Sequence, residues 1–287
     1  MKKNLLVAIL VASLACFGAF GLAACGGGSD DEGSSAGSSS TASSDVELED
    51  NTLIVGFDSA YPPYGYIDQD TGEYTGFDLE LAEEVCERNG WEFQAEPIDW
   101  DAKDELLEQG NITCIWNGFT YEGREDDYAF SGLYMINSQV VVVKADSDIE
   151  SLDDLAGKVV ITQVDSAALD VLDTDMKAVQ DTFDGGAVQT ISDYDNAFMQ
   201  LESGQVDAVA CDYSIAAYQL SENEGAYKEL EESLDSEHYA VAFSKDNQEL
   251  ADVVTETLRE MDEDGTVEDI CLRYEPDGIS YDNWCLE

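Results

Sequence analysis

Arg124 is the residue whose setting most needs a reason. It stands in the stretch NGFTYEGRED (117–126), among Glu122, Glu125, Asp126 and Asp127, in a chain with 12 Lys+Arg against 64 Asp+Glu. A guanidinium presents a planar pair of N–H donors that matches a carboxylate, a fit that the ammonium of lysine lacks. Two roles suit it: a surface salt bridge to its acidic neighbours, or a clamp for the carboxylate of a ligand. Other chemistry is thinly supplied. There is one histidine, His238, and no C-x-x-C pair, so no zinc site and no cofactor are expected. Carboxylates are so numerous that their count singles out none as a general acid or base.

The cysteines divide by position. Setting aside Cys16 and Cys25 near the start, five remain at 86, 114, 211, 271 and 285. Cys271 and Cys285 could staple the C-terminal tail, closing a loop of about 15 residues for up to about 3 kcal/mol in the chain-entropy picture. The odd count leaves at least one thiol unpaired within the chain. Cys114 and Cys211 lie in apolar runs and read as inert core residues.

A formal net charge of −52 excludes several partners. No basic stripe exists for nucleic acid, and anionic lipid surfaces and polyanions are repelled. Solubility alone accounts for the acidity.

The elements that must position Arg124 begin late in the chain. Residues 1–25 read as a secretory leader: Lys2 and Lys3, an apolar stretch from Leu5 to Phe20, then Leu22-Ala23-Ala24-Cys25. The stretch is broken by small residues, whereas a membrane-spanning helix needs about 20 solidly apolar ones. The Leu-Ala-Ala-Cys ending resembles a bacterial lipoprotein box, which implies that Cys25 becomes the acylated, palmitate-bearing first residue of the mature chain. Residues 26–50 form a Gly/Ser-rich tether that cannot bury a core; about 20 flexible residues span roughly 25 Å. A domain held by a lipid at the outer face of the bacterial cell membrane is the expectation.

The remaining 240 or so residues, by about 100–200 per domain, suffice for one large domain or two smaller ones. Strand and helix signals alternate through them. TLIVGF (52–57) is a β-branched apolar run, followed by the turn SAYPPYG and a helix over about 78–89 with Asp78 as its N-cap and Asn89-Gly90 as its stop. WEFQAEPI (91–98) is a strand, 101–109 a helix, and NITCIWNG (111–118) a third strand that runs into the Arg124 segment. A second cycle follows: strand 139–146, a short capped helix 151–157, strand 158–163, helix 166–176, strand 187–191, helix 193–203, strand 205–212 and helix 213–220. HYAVAFSKD (238–246) is extended, and 248–263 is a closing amphipathic helix. Such alternation predicts open α/β sheets, which bind ligands at the carboxyl ends of their strands. Arg124 lies just past one such end. Two α/β units with two crossings between them is the economical arrangement.

Five stretches carry a resemblance to a known family: VGFDSAYPPYGYID…GEYTGFDLELAEEV, DWDAKDELLEQGNITCIWNGFT, GREDDYAFSGLYM, SLDDLAGKVVITQVDSAALDVL and ESGQVDAVACDYSIAAYQL. In this order they resemble the family 3 bacterial solute-binding proteins, the polar amino acid receptors of ABC importers. The resemblance implies a two-lobed periplasmic-binding-protein-like fold, each lobe an open α/β sheet, with two hinge crossings. Lobe 1 is expected at 51–141 plus 242–287 and lobe 2 at 142–241. It implies that Arg124 forks onto a ligand α-carboxylate, with Gly118, Thr120 and Ser166 assisting, that Asp212 takes the α-ammonium, and that Tyr61 covers the ligand. The chain departs from the family at Glu122, where threonine is common, and at Val164-Asp165, where a glycine is expected; Ala167 is then an alternative to Ser166. A helix N-terminus at Ser166 would add free N–H groups to the carboxylate site.

Asp58, Trp100, Trp116, Asn117 and Glu122 are candidates to line the side-chain pocket. Acids there suit a polar or basic amino acid, and the tryptophans either stack on the ligand or belong to the core. The implied partners are a free amino acid and ABC permease subunits; the membrane is met through the lipid alone, and a monomer is expected. Two rivals remain: a dehydratase or lyase on the same fold, and a ligand-binding partner of a sensor. His238 near an apparent hinge reads as structural, and a lipid-tethered domain fits delivery better than signalling.

Overall fold

The computed structural model describes residues 48–286; the leader, Cys25 and most of the tether lie outside the described residues. The first half runs β1 (Thr52–Phe57), β2 (Ala60–Tyr61), β3 (Gly65–Ile67), β4 (Tyr74–Thr75), α1 (Phe77–Asn89), β5 (Glu92–Pro97), α2 (Lys103–Glu108), β6 (Cys114–Ile115), β7 (Ala129–Phe130) and β8 (Met135–Lys144). It continues through β9 (Val160–Gln163), α3 (Ala167–Asp173), α4 (Lys177–Gln180), β10 (Gln189–Ile191), α5 (Tyr194–Ser203), β11 (Ala208–Asp212) and α6 (Tyr213–Glu222). The last elements are β12 (Tyr227–Glu229), β13 (Asp235–Tyr239), β14 (Ala242–Phe243), α7 (Gln248–Glu263) and α8 (Thr266–Tyr274).

Two mixed sheets organise these elements. The first has the order β5-β1-β6-β14-β7, and the second β10-β9-β11-β8-β12 with β13 also on β8. In each, three parallel strands are wound in both directions from the first of them: β1 lies between β5 and β6, and β9 between β10 and β11. Each sheet therefore has a switch point at its strands' carboxyl ends, where successive connections diverge and leave a crevice. Parallel strands covered on both faces read as continuous apolar runs, and β11 is buried at every position. A small antiparallel sheet, β2-β3-β4, follows β1.

The chain passes between the sheets twice: from β7 to β8, and from β13 to β14 within three residues. The division expected at 141/142 falls inside the unbroken strand β8, whereas that at 241/242 falls between β13 and β14. Helix burial follows the 3.6-residue period. On α7, Leu250, Val254, Leu258 and Met261 are buried, and on α5, Ala197, Phe198 and Leu201. Asp193 caps α5 by accepting from Asn196 N–H at 2.8 Å, and Gly204 closes it in the left-handed conformation.

Two expectations need correction. Helix α1 is preceded by Gly76, not capped by Asp78, which is the second residue of the helix and is fully buried. The Cys271–Cys285 staple is not formed. Cys271 is a free thiol packed in the main core on α8, and Cys285 directs its Sγ to the Leu133 carbonyl at 3.6 Å.

Candidate functional site

The strand β6 ends at Ile115, and the chain then turns tightly through 116–124. Gly118 has φ +55°, and a Cβ there would meet Tyr239 Cε2 at 3.0 Å and Tyr61 Cε1 at 3.1 Å. Only glycine admits both rings and this backbone. Its N–H donates to Asp78 Oδ2 at 2.6 Å, and Tyr134 OH donates to the same carboxyl group at 2.9 Å. Burial is the main force lifting the Asp78 pKa to about 7, against these bonds, which lower it. Asp78 is thus the post that fixes the turn. At the far end of the turn, Arg124 lays its guanidinium over the Phe119 ring, with Cζ 4.6 Å from the centroid. Nη1 donates to the Thr120 carbonyl at 3.3 Å, and Nη2 faces Asp170 Oδ2 at 3.3 Å.

The second sheet supplies the facing groups. Ser166 caps α3, its Oγ accepting from Leu169 N–H at 3.2 Å and lying 3.1 Å from Thr162 Oγ1. Just before it, the Asp165 carbonyl accepts from the Trp100 indole at 3.2 Å, and its carboxylate lies 3.6 Å from the buried Lys103 Nζ. Gln163, the last residue of β9, donates to Asp58 Oδ2 at 2.6 Å and to the Ser192 carbonyl at 2.9 Å. Burial chiefly lifts Asp58 to about 6, although Ala60 N–H and Gln163 hold its charged form. These contacts join loops of the first sheet to loops of the second.

Asp212, the last residue of β11, closes the arrangement. Its Oδ1 accepts from Gln139 Nε2 at 2.7 Å, Tyr239 OH at 3.0 Å and Asn137 Nδ2 at 3.1 Å. Tyr239 OH also lies 3.2 Å from Tyr61 OH.

A small, nearly closed cavity of about 10 Å³ lies among these groups. Of the residues singled out from sequence, Arg124, Asp212, Thr120, Gly118, Ser166, Tyr61, Trp100 and Asn117 line it, and so do Gln163 and Ala167. A cation from the first sheet and an acid from the second therefore share one space. Three candidates do not line it. Trp116 is fully buried in the main core. Glu122 accepts from the His238 backbone N–H at 2.9 Å and lies 2.7 Å from its Nδ1. Asp58 is tied to Gln163, which takes its place at the cavity wall.

Asn117 stands out among the lining residues. It is 1 % exposed, and neither Oδ1 nor Nδ2 has a hydrogen-bond partner among the described residues. A buried amide left unmatched at both ends costs about 1–3 kcal/mol per group. The sequence flagged its position but not its lack of partners. Gln163 was missed, although a polar residue ending an apolar strand is the available signal. Glu237, buried on β13 beside Asp212's amide partners, was also missed.

Known proteins share this construction. The L-cystine-binding protein TcyA of Bacillus subtilis (strain 168) is 28% identical over 282 residues, covering 98% of this chain and 100% of that protein. The arginine-binding extracellular protein ArtP of the same organism is 28% identical over 271 residues, covering 93% and 96%. Among solved structures, a histidine-bound substrate-binding protein of an ABC uptake transporter from Streptococcus pneumoniae superposes with a TM-score of 0.77 at 28% identity, covering 81% of this chain and 95% of that one. An ancestral arginine-binding protein bound to glutamine gives 0.70 at 32% identity, covering 79% and 99%. These are two-lobed receptors rather than enzymes. With residues 53–276 matching their profile, the chain belongs to the bacterial extracellular solute-binding proteins, family 3.

Proposed function

We propose that the protein captures one free amino acid as a zwitterion in the cavity between its two sheets and delivers it to the permease of an ABC importer. Arg124 and Thr120 hold the α-carboxylate with the Ser166 hydroxyl, Asp212 holds the α-ammonium, and Tyr61 and Trp100 close over the ligand. Gly118 contributes bare backbone, because its N–H is already engaged by Asp78. The observation that carries this reading is that Arg124 and Asp212, each brought by a different sheet, line one small cleft, which must open to admit a ligand and close around it. Gripping a zwitterion from both sheets makes contacts available only when they are together, so ligand binding and closure are coupled.

Asn117 favours a ligand side chain with a neutral hydrogen-bonding group. Its amide offers both donor and acceptor, whereas Asp58, the nearest candidate for reading a cation, is bonded to Gln163. The relatives named above bind cystine or arginine, and their solved counterparts hold histidine or glutamine. In the remainder of the reading, Cys25 carries the lipid anchor, the chain acts as a monomer, and lobe 1 (51–141 with 242–287) and lobe 2 (142–241) hinge at the two sheet crossings.

Calorimetric titration against the twenty amino acids and cystine, with Arg124→Ala alongside, tests this. Binding of one or a few of them, weakened at least about thirtyfold in the variant, is expected, since truncating one partner of a buried charge pair costs about 2–5 kcal/mol. A folded protein that binds none of them overturns the reading.

A further inference from the structure

Asp212 does not stand alone in its acidity. Glu237 on β13 is 2 % exposed, and two side-chain amides join the two carboxyl groups. Asn137 Nδ2 donates to Asp212 Oδ1 at 3.1 Å and to Glu237 Oε1 at 2.7 Å; Gln139 Nε2 donates to the same two oxygens at 2.7 and 2.8 Å. The strand register produces this: Gln139 is opposite Asp212 across β8 and β11, and Asn137 is opposite Glu237 across β8 and β13. The cluster is rich in acceptors and short of charge balance. Among the described residues neither carboxyl group is in an ion pair. Gln139 Oε1 is buried and takes no donor. Two buried carboxylates bridged by neutral amides are unstable as a double anion, and either a proton or an ammonium relieves them.

We propose that Asp212 and Glu237 form a proton-exchanging ammonium site, protonated once while the cleft is without ligand and losing that proton when an amino acid ammonium arrives. This deepens the amino acid reading and rests on it. The exchange balances simply: the Glu237 O–H bond breaks, the proton leaves to solvent, and the incoming R–NH₃⁺ replaces its charge. The groups facing Glu237 act in opposite directions, the Asp212 charge favouring its protonated form and the hydrogen-bonding amides and Thr120 its charged form. Asp212 approaches from β11, Tyr239 from its own strand, the amides Asn137 and Gln139 from β8, and Thr120 from the turn after β6. Glu122 and His238 pair with each other at the adjoining bend. Burial first, and then the Asp212 charge, push Glu237 up to about 8. A proton released on binding makes affinity rise by up to about tenfold per pH unit below that value.

The test uses the full chain and an equimolar mixture of the twenty amino acids and cystine as probe. Infrared spectra of the ligand-free protein at pH 7 should contain protonated carboxyl absorption that is weaker in Glu237→Gln, the remainder belonging to Asp78 and Asp58. Adding the mixture in a pH-stat should release up to one proton per protein and remove the part of the band that distinguishes the wild type from Glu237→Gln, while a rise in melting temperature reports binding. Protonated carboxyl absorption of equal strength in the wild type and in Glu237→Gln overturns the proposal. A rise in melting temperature without proton release also overturns it while leaving the amino acid reading intact. No rise at all removes the amino acid reading, and the proton exchange falls with it.

Discussion

Arg124 Nη2 and Asp170 Oδ2 lie 3.3 Å apart, and they reach each other from elements of different sheets, the turn after β6 and helix α3. The partners are unequal: the Arg124 side chain is 12% exposed and that of Asp170 67%. An ion pair with so open an acid contributes little, about 0.2–1 kcal/mol, and salt weakens it further. Yet Asp170 places a carboxylate at the guanidinium that the proposed function assigns to a ligand carboxylate. Asp170→Asn should therefore tighten amino acid binding by up to about fivefold, with the gain shrinking as salt is raised. Calorimetry at low and high ionic strength measures it. Weaker binding in the variant would instead assign Asp170 to holding the two sheets together.

The two switch points were legible because the runs TLIVGF, KVVITQ and QVDAVACD are apolar, short and followed at once by a turn or cap. Ser166, Asp212 and the Arg124 turn could be placed at strand mouths for that reason. The partners of those residues could not. Asp78 resembles an N-cap locally, and its acceptance of the Gly118 N–H depends on a turn 40 residues away. Asn137 and Gln139 interrupt an apolar strand in a way that reads as an ordinary solvent-facing alternation. Only the pairing of β8 with both β11 and β13 turns them inward onto two acids. The small sheet β2-β3-β4 has strands of two or three residues, too short for periodicity to register. Helix α8 is different: Val267, Ile270, Cys271 and Tyr274 have helical spacing, and the signal was overlooked.

Asn117 makes a prediction in which stability and binding move in opposite directions. Both polar ends of this buried amide lack partners, so the ligand-free protein carries their desolvation cost. Leucine shares the branching at Cγ, is moderately larger, and has nothing to satisfy. Asn117→Leu should raise the stability of the ligand-free protein by about 1–3 kcal/mol while reducing affinity for the amino acid that the wild type prefers. Urea denaturation without ligand, followed by titration, separates the two effects. Lower stability together with unchanged affinity would show that the amide serves packing alone.

Asp58, Asp78 and Glu237 give the ligand-free protein a pH dependence opposite to that of ordinary surface carboxylates. Burial raises all three, to about 6, 7 and 8 respectively. In the unfolded chain these groups titrate near 4, so between about pH 4 and pH 8 the native state binds more protons than the unfolded state. Stability from these groups is therefore fully present below pH 4 and is lost as pH rises through 6, 7 and 8. Carboxylates held low by hydrogen bonds, such as Asp154 and Asp193, act in the other direction, but their contribution is complete once the pH exceeds about 5. Between pH 5.5 and 8.5 the buried acids should dominate, and denaturant midpoints should fall steadily across that range. Asp78→Asn preserves much of the side chain's shape but removes one titrating group, so its slope near pH 7 should be shallower than the wild type's. A wild-type midpoint that is flat or rising from pH 5.5 to 8.5 would mean that these carboxyl groups ionise in the folded protein as freely as in the unfolded chain.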